Sequence, residues 1–168
     1  GGLDGFVNQQ APSSDVNYDA VIEALADYNV PFFNFEVGQY QVFPDVLTET
    51  DQYTGVLAAR NFEMILDKIE EKGLSEEDVE NAINASGMLS RLAYKAEIEA
   101  ALRTEDMSGI ALLGIQDFCG QGTALVGMMN ALGDPKPYDF ADPEEFSSFF
   151  NPTVVLFESS KFTYKNSE

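Results

Sequence analysis

The stretch Pro31-Phe-Phe-Asn-Phe-Glu-Val-Gly-Gln-Tyr-Gln-Val-Phe-Pro-Asp45 decides the fold class that we expect for this chain. It begins as an apolar, aromatic run typical of a buried strand and reaches a carboxylate at Glu36. A second apolar run, residues 109–117, also reads as a fully buried strand and ends at Asp117. Parallel α/β folds present catalytic groups at the carboxyl ends of such strands. We therefore expect an α/β fold in which both acids emerge at one edge if the strands are parallel.

Apolar residues recur at helical spacing through most of the remaining chain, which predicts several helices. Predicted helices cover residues 18–28, 60–72, 75–102, 124–132 and a segment from 142, and short strands are expected at 153–157 and 161–165. Gly73 is expected to end the second helix, and Ser75 and Asp78 form a capping box that starts the third. The third helix could kink or divide at Ser86-Gly87.

Composition narrows the possible chemistry. The 168-residue chain has 29 acidic and 9 basic residues and a formal net charge of −20, so we expect neither a nucleic-acid nor a membrane partner. It contains no His and a single cysteine, Cys119, which excludes Ser-His-Asp and Cys-His mechanisms and cysteine-based metal cages. We expect no metal and no cofactor, so acid–base work would fall to carboxylates, Tyr or Lys.

Glu36 and Asp117 are the candidate catalytic pair. Neighbouring strands lie about 4.8 Å apart, so the two acids could approach the ~5–5.5 Å carboxyl separation of retaining glycosidases. Gln39 and Tyr40 follow Glu36, and amides with flat aromatic faces suit a saccharide site. The alternatives are that the acids bond to loops or cap helices, and that Tyr40 simply covers the sheet edge.

Two long motifs carry a resemblance to a known family. The two motifs are Phe35-Glu-Val-Gly-Gln-Tyr-Gln-Val-Phe-Pro-Asp45 and Leu112-Leu-Gly-Ile-Gln-Asp-Phe-Cys-Gly-Gln-Gly-Thr-Ala-Leu-Val-Gly127. Through them the chain resembles the β-galactosidase-like, glycoside hydrolase family 2 type proteins of gut Bacteroides type. The same group is resembled by two segments between them, Ser86-Gly-Met-Leu and Tyr94-Lys-Ala-Glu-Ile-Glu-Ala-Ala-Leu-Arg-Thr104. The resemblance implies a (β/α)8 catalytic barrel followed by a β-sandwich, with residues 32–36 on the seventh strand and 110–116 on the eighth.

The same resemblance implies roles for individual residues. Glu36 matches the nucleophile of the family, and Gln39, Tyr40, Gln116 and Asp117 would contact a carbohydrate substrate. The sequence departs from the family at Phe35, where relatives often carry His, and at Cys119, where they often carry Pro. The family's acid/base Glu follows an Asn, and the sequence contains no Asn-Glu pair.

Length favours a partial barrel. A (β/α)8 barrel needs about 250 residues, so we expect residues 1–152 to be the C-terminal portion of a barrel and 153–168 to lead to a sandwich domain. Uncovered edges of such a piece predict self-association and little activity alone. A non-catalytic carbohydrate-binding fragment and a helical interaction domain remain alternatives. The acidic composition fits a periplasmic or secreted location.

Overall fold

The computed structural model describes residue 7, residues 12–118 and residues 125–167. The chain forms two compact units. Unit 1 comprises the described residues of Gly1–Tyr40, Arg91–Gly114 and Pro143–Glu168, and unit 2 comprises those of Gln41–Ser90 and Ile115–Asp142. The expected boundary at residue 152 stays a prediction.

The described residues contain five helices longer than three residues and two strands, with three of the helices between the strands. In chain order they are α1 (Asp19–Ala24), β1 (Phe32–Val37), α2 (Val46–Glu49), α3 (Arg60–Lys72), α4 (Glu76–Leu102), β2 (Met107–Leu112) and α5 (Pro143–Ser147). Single 3-10 turns lie at Ala26–Tyr28, Thr50–Gln52, Asp139–Ala141 and Ser148–Phe150. No helix in this described part of the chain is both long and apolar enough to cross a membrane.

The ends of α3 and α4 follow from local sequence, as predicted. Gly73 adopts a left-handed φ of 65° and its N–H donates to the carbonyl of Glu70, which ends α3. The Ser75 N–H donates to the Asp78 carboxylate at 2.9 Å, and the Asp78 N–H donates to the Ser75 hydroxyl at 3.2 Å. This reciprocal capping box starts α4. The helix then continues unbroken to Leu102, so Ser86-Gly87 does not divide it, and the alternative of a kink there stays a prediction.

The two strands form a parallel sheet in unit 1. Phe32 pairs with Met107 and Val37 with Leu112, and the register is irregular between Asn34 and Val37. A mixed α/β fold with a parallel strand pair is therefore confirmed. The described residues contain one two-stranded sheet, so the partial barrel stays a prediction.

The expectation of fully buried strands was wrong. In β1 the side chains of Phe33 and Phe35 are 56% and 67% exposed, and Val37 alone is fully buried. No residue of β2 is fully buried. Alternate side chains of a strand point to opposite faces, and the face that carries these two rings is largely exposed. The core of unit 1 lies instead around Val37, Tyr94 and Ile98.

The predicted helix over residues 124–132 was also wrong for its described part. Residues 125–130 form no helix and 131–132 lie in a turn; the Met129 N–H donates to the Ile115 carbonyl while its own carbonyl accepts from the Asp117 N–H. A Cβ on Gly127 would lie 2.5 Å from the Asp117 nitrogen, so only glycine permits this approach. The apolar run is buried by pairing with a distant segment, which its local periodicity does not reveal. The Gly-rich loop and Cys119 lie outside the described residues.

The C-terminal segment likewise differs from prediction. Residues 153–167 form no strand, although two were expected there. Most of their side chains are exposed, including the apolar Val155, Phe157 and Phe162. The start of a β-sandwich accordingly stays a prediction.

Candidate functional site

Glu36 occupies an unusual position at the carboxyl end of β1. Its φ is +56°, in the left-handed region that a residue with a Cβ enters at a cost on the order of 1 kcal/mol. The residue lies where the β1–β2 register is irregular, and such bulges re-aim a side chain away from the regular alternation of the strand. Its side chain is half-buried and reaches solvent. The local backbone therefore directs one carboxylate to an accessible strand end.

Gln39 holds the Glu36 carboxylate. Its side-chain amide Nε2 donates to Glu36 Oε2 at 3.1 Å. An amide donor stabilises the ionised form of a carboxylate without contributing a charge of its own. One oxygen of Glu36 is thus oriented by a side chain from the loop that follows the strand. The two residues were predicted to lie together, and they do.

Beneath this loop lies a buried carboxylate that sequence reasoning had not singled out. Glu97, on α4, is 7% exposed and its Oε2 accepts from the Gly38 N–H at 3.2 Å. The Tyr40 hydroxyl also interacts with this carboxyl group. Burial raises the pKa of Glu97, and these two groups partly oppose that rise. The sequence signal was an acid among the apolar positions of a helix, next to Tyr94 and Ile98.

Two aromatic rings complete the packing under the loop. Tyr40 and Tyr94 meet edge to face, with ring centroids 6.2 Å apart. Gly38 has a φ of +92°, and a Cβ there would lie 1.7 Å from Tyr94 Cε1. The pKa of Tyr40 is raised, first by burial and then by the negative charge of Glu97. Tyr40 is buried, so its hydroxyl faces Glu97 within unit 1.

Gln116 and Asp117 belong to unit 2, whereas Glu36, Gln39 and Tyr40 belong to unit 1. Asp117 is buried; its Oδ1 accepts from the Gly127 N–H at 2.7 Å and its Oδ2 lies 2.7 Å from Lys136 Nζ. The exposed Gln116 donates to the Ala131 carbonyl at 2.8 Å. Both oxygens of Asp117 are therefore engaged inside unit 2. Substrate contact by these two residues stays a prediction.

A second group of buried acids surrounds Lys136. Asp45 caps α2 by accepting from the Thr48 N–H at 3.2 Å. Glu49, at the end of α2, is 2% exposed, and neither of its carboxylate oxygens has a hydrogen-bond partner among the described residues. Burial raises the pKa of Glu49 to about 7; Lys136 opposes that rise, and the charges of Asp117 and Asp45 add to it. Three buried carboxyl groups thus influence one another, and Lys136 pairs directly with one of them, Asp117.

The same acids do not form a metal site. No group of three or more His, Cys, Asp or Glu side chains within the described ranges is placed to hold a metal ion. A pocket of about 360 Å³ elsewhere in unit 2 is lined mainly by apolar side chains, including Val42, Phe43 and Leu125. Its lining contains no carboxylate, so it supplies no acid–base chemistry.

Comparison of the sequence with models of known protein families and with curated proteins finds no match. The geometry of the Glu36 loop therefore provides the basis for a functional assignment.

Proposed function

We propose that the chain is part of a retaining glycoside hydrolase that acts on β-linked saccharides, and that Glu36 is its nucleophile. The observation that carries the proposal is the left-handed backbone of Glu36 at the end of a parallel strand, with the carboxylate held by Gln39. Non-glycine residues in this conformation concentrate at functional sites. The resemblance of the surrounding motif to family 2 glycoside hydrolases supports the same role.

In the proposed reaction, a Glu36 oxygen attacks the anomeric carbon of a bound sugar. The bond from that carbon to the glycosidic oxygen breaks, and the leaving oxygen takes its electron pair and a proton from a general acid. Water then gives a proton to the conjugate base of that general acid as its oxygen bonds to the anomeric carbon; the bond from that carbon to the Glu36 oxygen breaks, which releases the sugar and regenerates the carboxylate. The Gln39 amide would hold the carboxylate in the attacking orientation during both steps.

The general acid is proposed to come from outside this sequence. The sequence has no Asn-Glu pair of the kind that carries the acid/base group in the resembling family. Gln39, Tyr40, Gln116 and Asp117 are proposed as carbohydrate contacts. If the acid is missing altogether, the protein would bind sugar without cleaving it, which is the alternative function.

Covalent trapping tests the proposal directly. The full-length protein would be incubated with a fluorinated aryl β-galactoside, which forms a glycosyl-enzyme but releases it slowly. Because an activated aryl leaving group departs without protonation, this step does not depend on the general acid. We expect one added sugar, located on the peptide that contains Glu36 by mass spectrometry.

Matched variants separate nucleophile loss from general damage. Glu36→Gln is expected to lower turnover of aryl glycosides by about 1,000-fold or more and to abolish labelling. Glu23→Gln, which alters an exposed acid of unit 1, should leave both unchanged. Turnover by Glu36→Gln at the wild-type rate would remove Glu36 as nucleophile. Sugar binding by calorimetry without any labelling would favour the binding function.

A further inference from the structure

Glu97 is the buried charge that most directly contacts the loop after Glu36. Its Oε2 accepts from the Gly38 N–H at 3.2 Å, and the Tyr40 hydroxyl also interacts with its carboxyl group. These two partners flank Gln39, whose amide bonds to Glu36. Glu97 on α4 thus contacts Gly38 and Tyr40, the two neighbours of Gln39 in the loop. Gln39 in turn orients the proposed nucleophile.

Burial of the Glu97 carboxylate has an energetic cost that its hydrogen-bond donors must offset. A carboxylate that is 7% exposed is destabilised unless hydrogen-bond donors surround it, and the loop supplies the Gly38 N–H. A leucine or methionine at position 97 would fill the same space on the apolar face of α4 without that requirement. The structure therefore contains a polar connection between helix and loop that packing alone does not explain.

We infer that Glu97 is a positioning residue that sets the conformation of residues 38–40 and, through Gln39, the orientation of Glu36; this inference rests on the proposed function. Glu97 does not touch the nucleophile and takes no part in bond making. Its role is to keep the Gly38 N–H and the Tyr40 hydroxyl in place, so that the Gln39 amide remains within hydrogen-bonding distance of Glu36. Small displacements of a reacting group are enough to slow a reaction by about 100-fold.

The test compares Glu97→Ala, Glu97→Gln and Glu99→Gln in the full-length protein. Glu97→Ala removes both acceptors, while Glu97→Gln keeps one carbonyl oxygen. Glu99→Gln weakens an ion pair with Lys95 on the same helix and does not reach the loop. We expect kcat for aryl glycosides to fall by about 100-fold in Glu97→Ala with KM changed less than about threefold. The Gln variant should recover part of that loss, and Glu99→Gln should behave like wild type.

Two further readouts keep the inference separate from the proposed function. Labelling of wild-type Glu36 by the fluorinated glycoside reports on the function, and amide hydrogen exchange at Gly38 reports on the Glu97 contact. If wild type is labelled but Glu97→Ala is labelled at the wild-type rate, the positioning role is wrong and the proposed function stands. If wild type is not labelled, the proposed function fails and the positioning role fails with it. If Glu97→Ala does not fold, Glu97→Gln must still show faster Gly38 exchange and slower labelling for the inference to hold.

Discussion

Replacing Glu49 by Gln should change how the stability of the protein depends on pH. The Glu49 carboxyl is buried, and burial raises its pKa from an ordinary 4.5 to about 7. The groups that face it are Asp45, Asp117, Lys136 and Tyr138. The folded state therefore holds a proton on Glu49 more tightly than the unfolded chain does, and stability falls as pH rises from about 4.5 through 7.

The magnitude follows from the two pKa values. At about 1.36 kcal/mol per pH unit, a rise from 4.5 to about 7 lowers the free energy of unfolding by about 3 kcal/mol above pH 7. About 2.5 kcal/mol of that loss falls between pH 5 and pH 8. Gln has a similar shape and does not titrate, so the Glu49→Gln variant should not show this loss. For a chain of this size the change corresponds to roughly 5–10 °C in Tm.

Urea unfolding of wild type and Glu49→Gln at pH 5, 6, 7 and 8 measures the effect. The variant's free energy of unfolding minus that of wild type should increase by about 2.5 kcal/mol across this range. Glu70→Gln, at an exposed position of α3, should give a difference that does not change with pH. A Glu49→Gln difference that stays constant within about 0.5 kcal/mol would refute the raised pKa of Glu49.

Two further substitutions test contacts within the separate units. Gly38→Ala should lower the free energy of unfolding by about 3 kcal/mol or more, because φ at this position is positive and the new Cβ would clash with the Tyr94 ring. Gly73→Ala is the control: φ is also positive there but the space is open, so the free energy of unfolding should fall by only about 1 kcal/mol. Equal losses in thermal melts of these two variants would contradict the close contact. Lys136→Met should destabilise the protein by about 3–5 kcal/mol because it leaves the Asp117 carboxylate buried without a cation. Adding Asp117→Asn should restore much of that loss in urea unfolding, and an additive double variant would argue against the pairing.

The helix ends of α3 and α4 were predictable because their causes lie within a few residues. Gly73 at a left-handed position and the Ser75–Asp78 box are local signals that need no tertiary information. The pairing of Met129 with Ile115 and Asp117 is different, since the partner lies outside any local window. An apolar run without polar breaks fits a buried helix and an extended segment equally well. The extended form is decided by the close approach of Gly127 to the Asp117 backbone.

In the candidate site, too, residues with a local sequence signal were predicted, and residues that become notable only through tertiary contacts were not. Glu36, Gln39 and Tyr40 were found because they lie within five positions of each other after an apolar run. Glu49 was missed because it does not stand out from the many acids of the chain until folding buries it, and Glu97 offered only its place among the apolar positions of a helix. A weak signal existed for Lys136, a rare cation placed between Pro135 and Pro137.

The parallel pairing of β1 with β2 has a consequence for how the protein folds. Phe32 must find Met107 about 75 positions later in the chain, and closing a loop of that length costs roughly 4 kcal/mol in its length-dependent part. The sheet therefore cannot form until α3 and α4 have been synthesised and have shortened the intervening chain. During that interval β1 has no partner strand, and its unpaired backbone N–H and C=O groups remain available to other nascent chains. Synthesis of the β2 segment, rather than that of β1, sets the earliest moment at which this part of the protein is protected from aggregation.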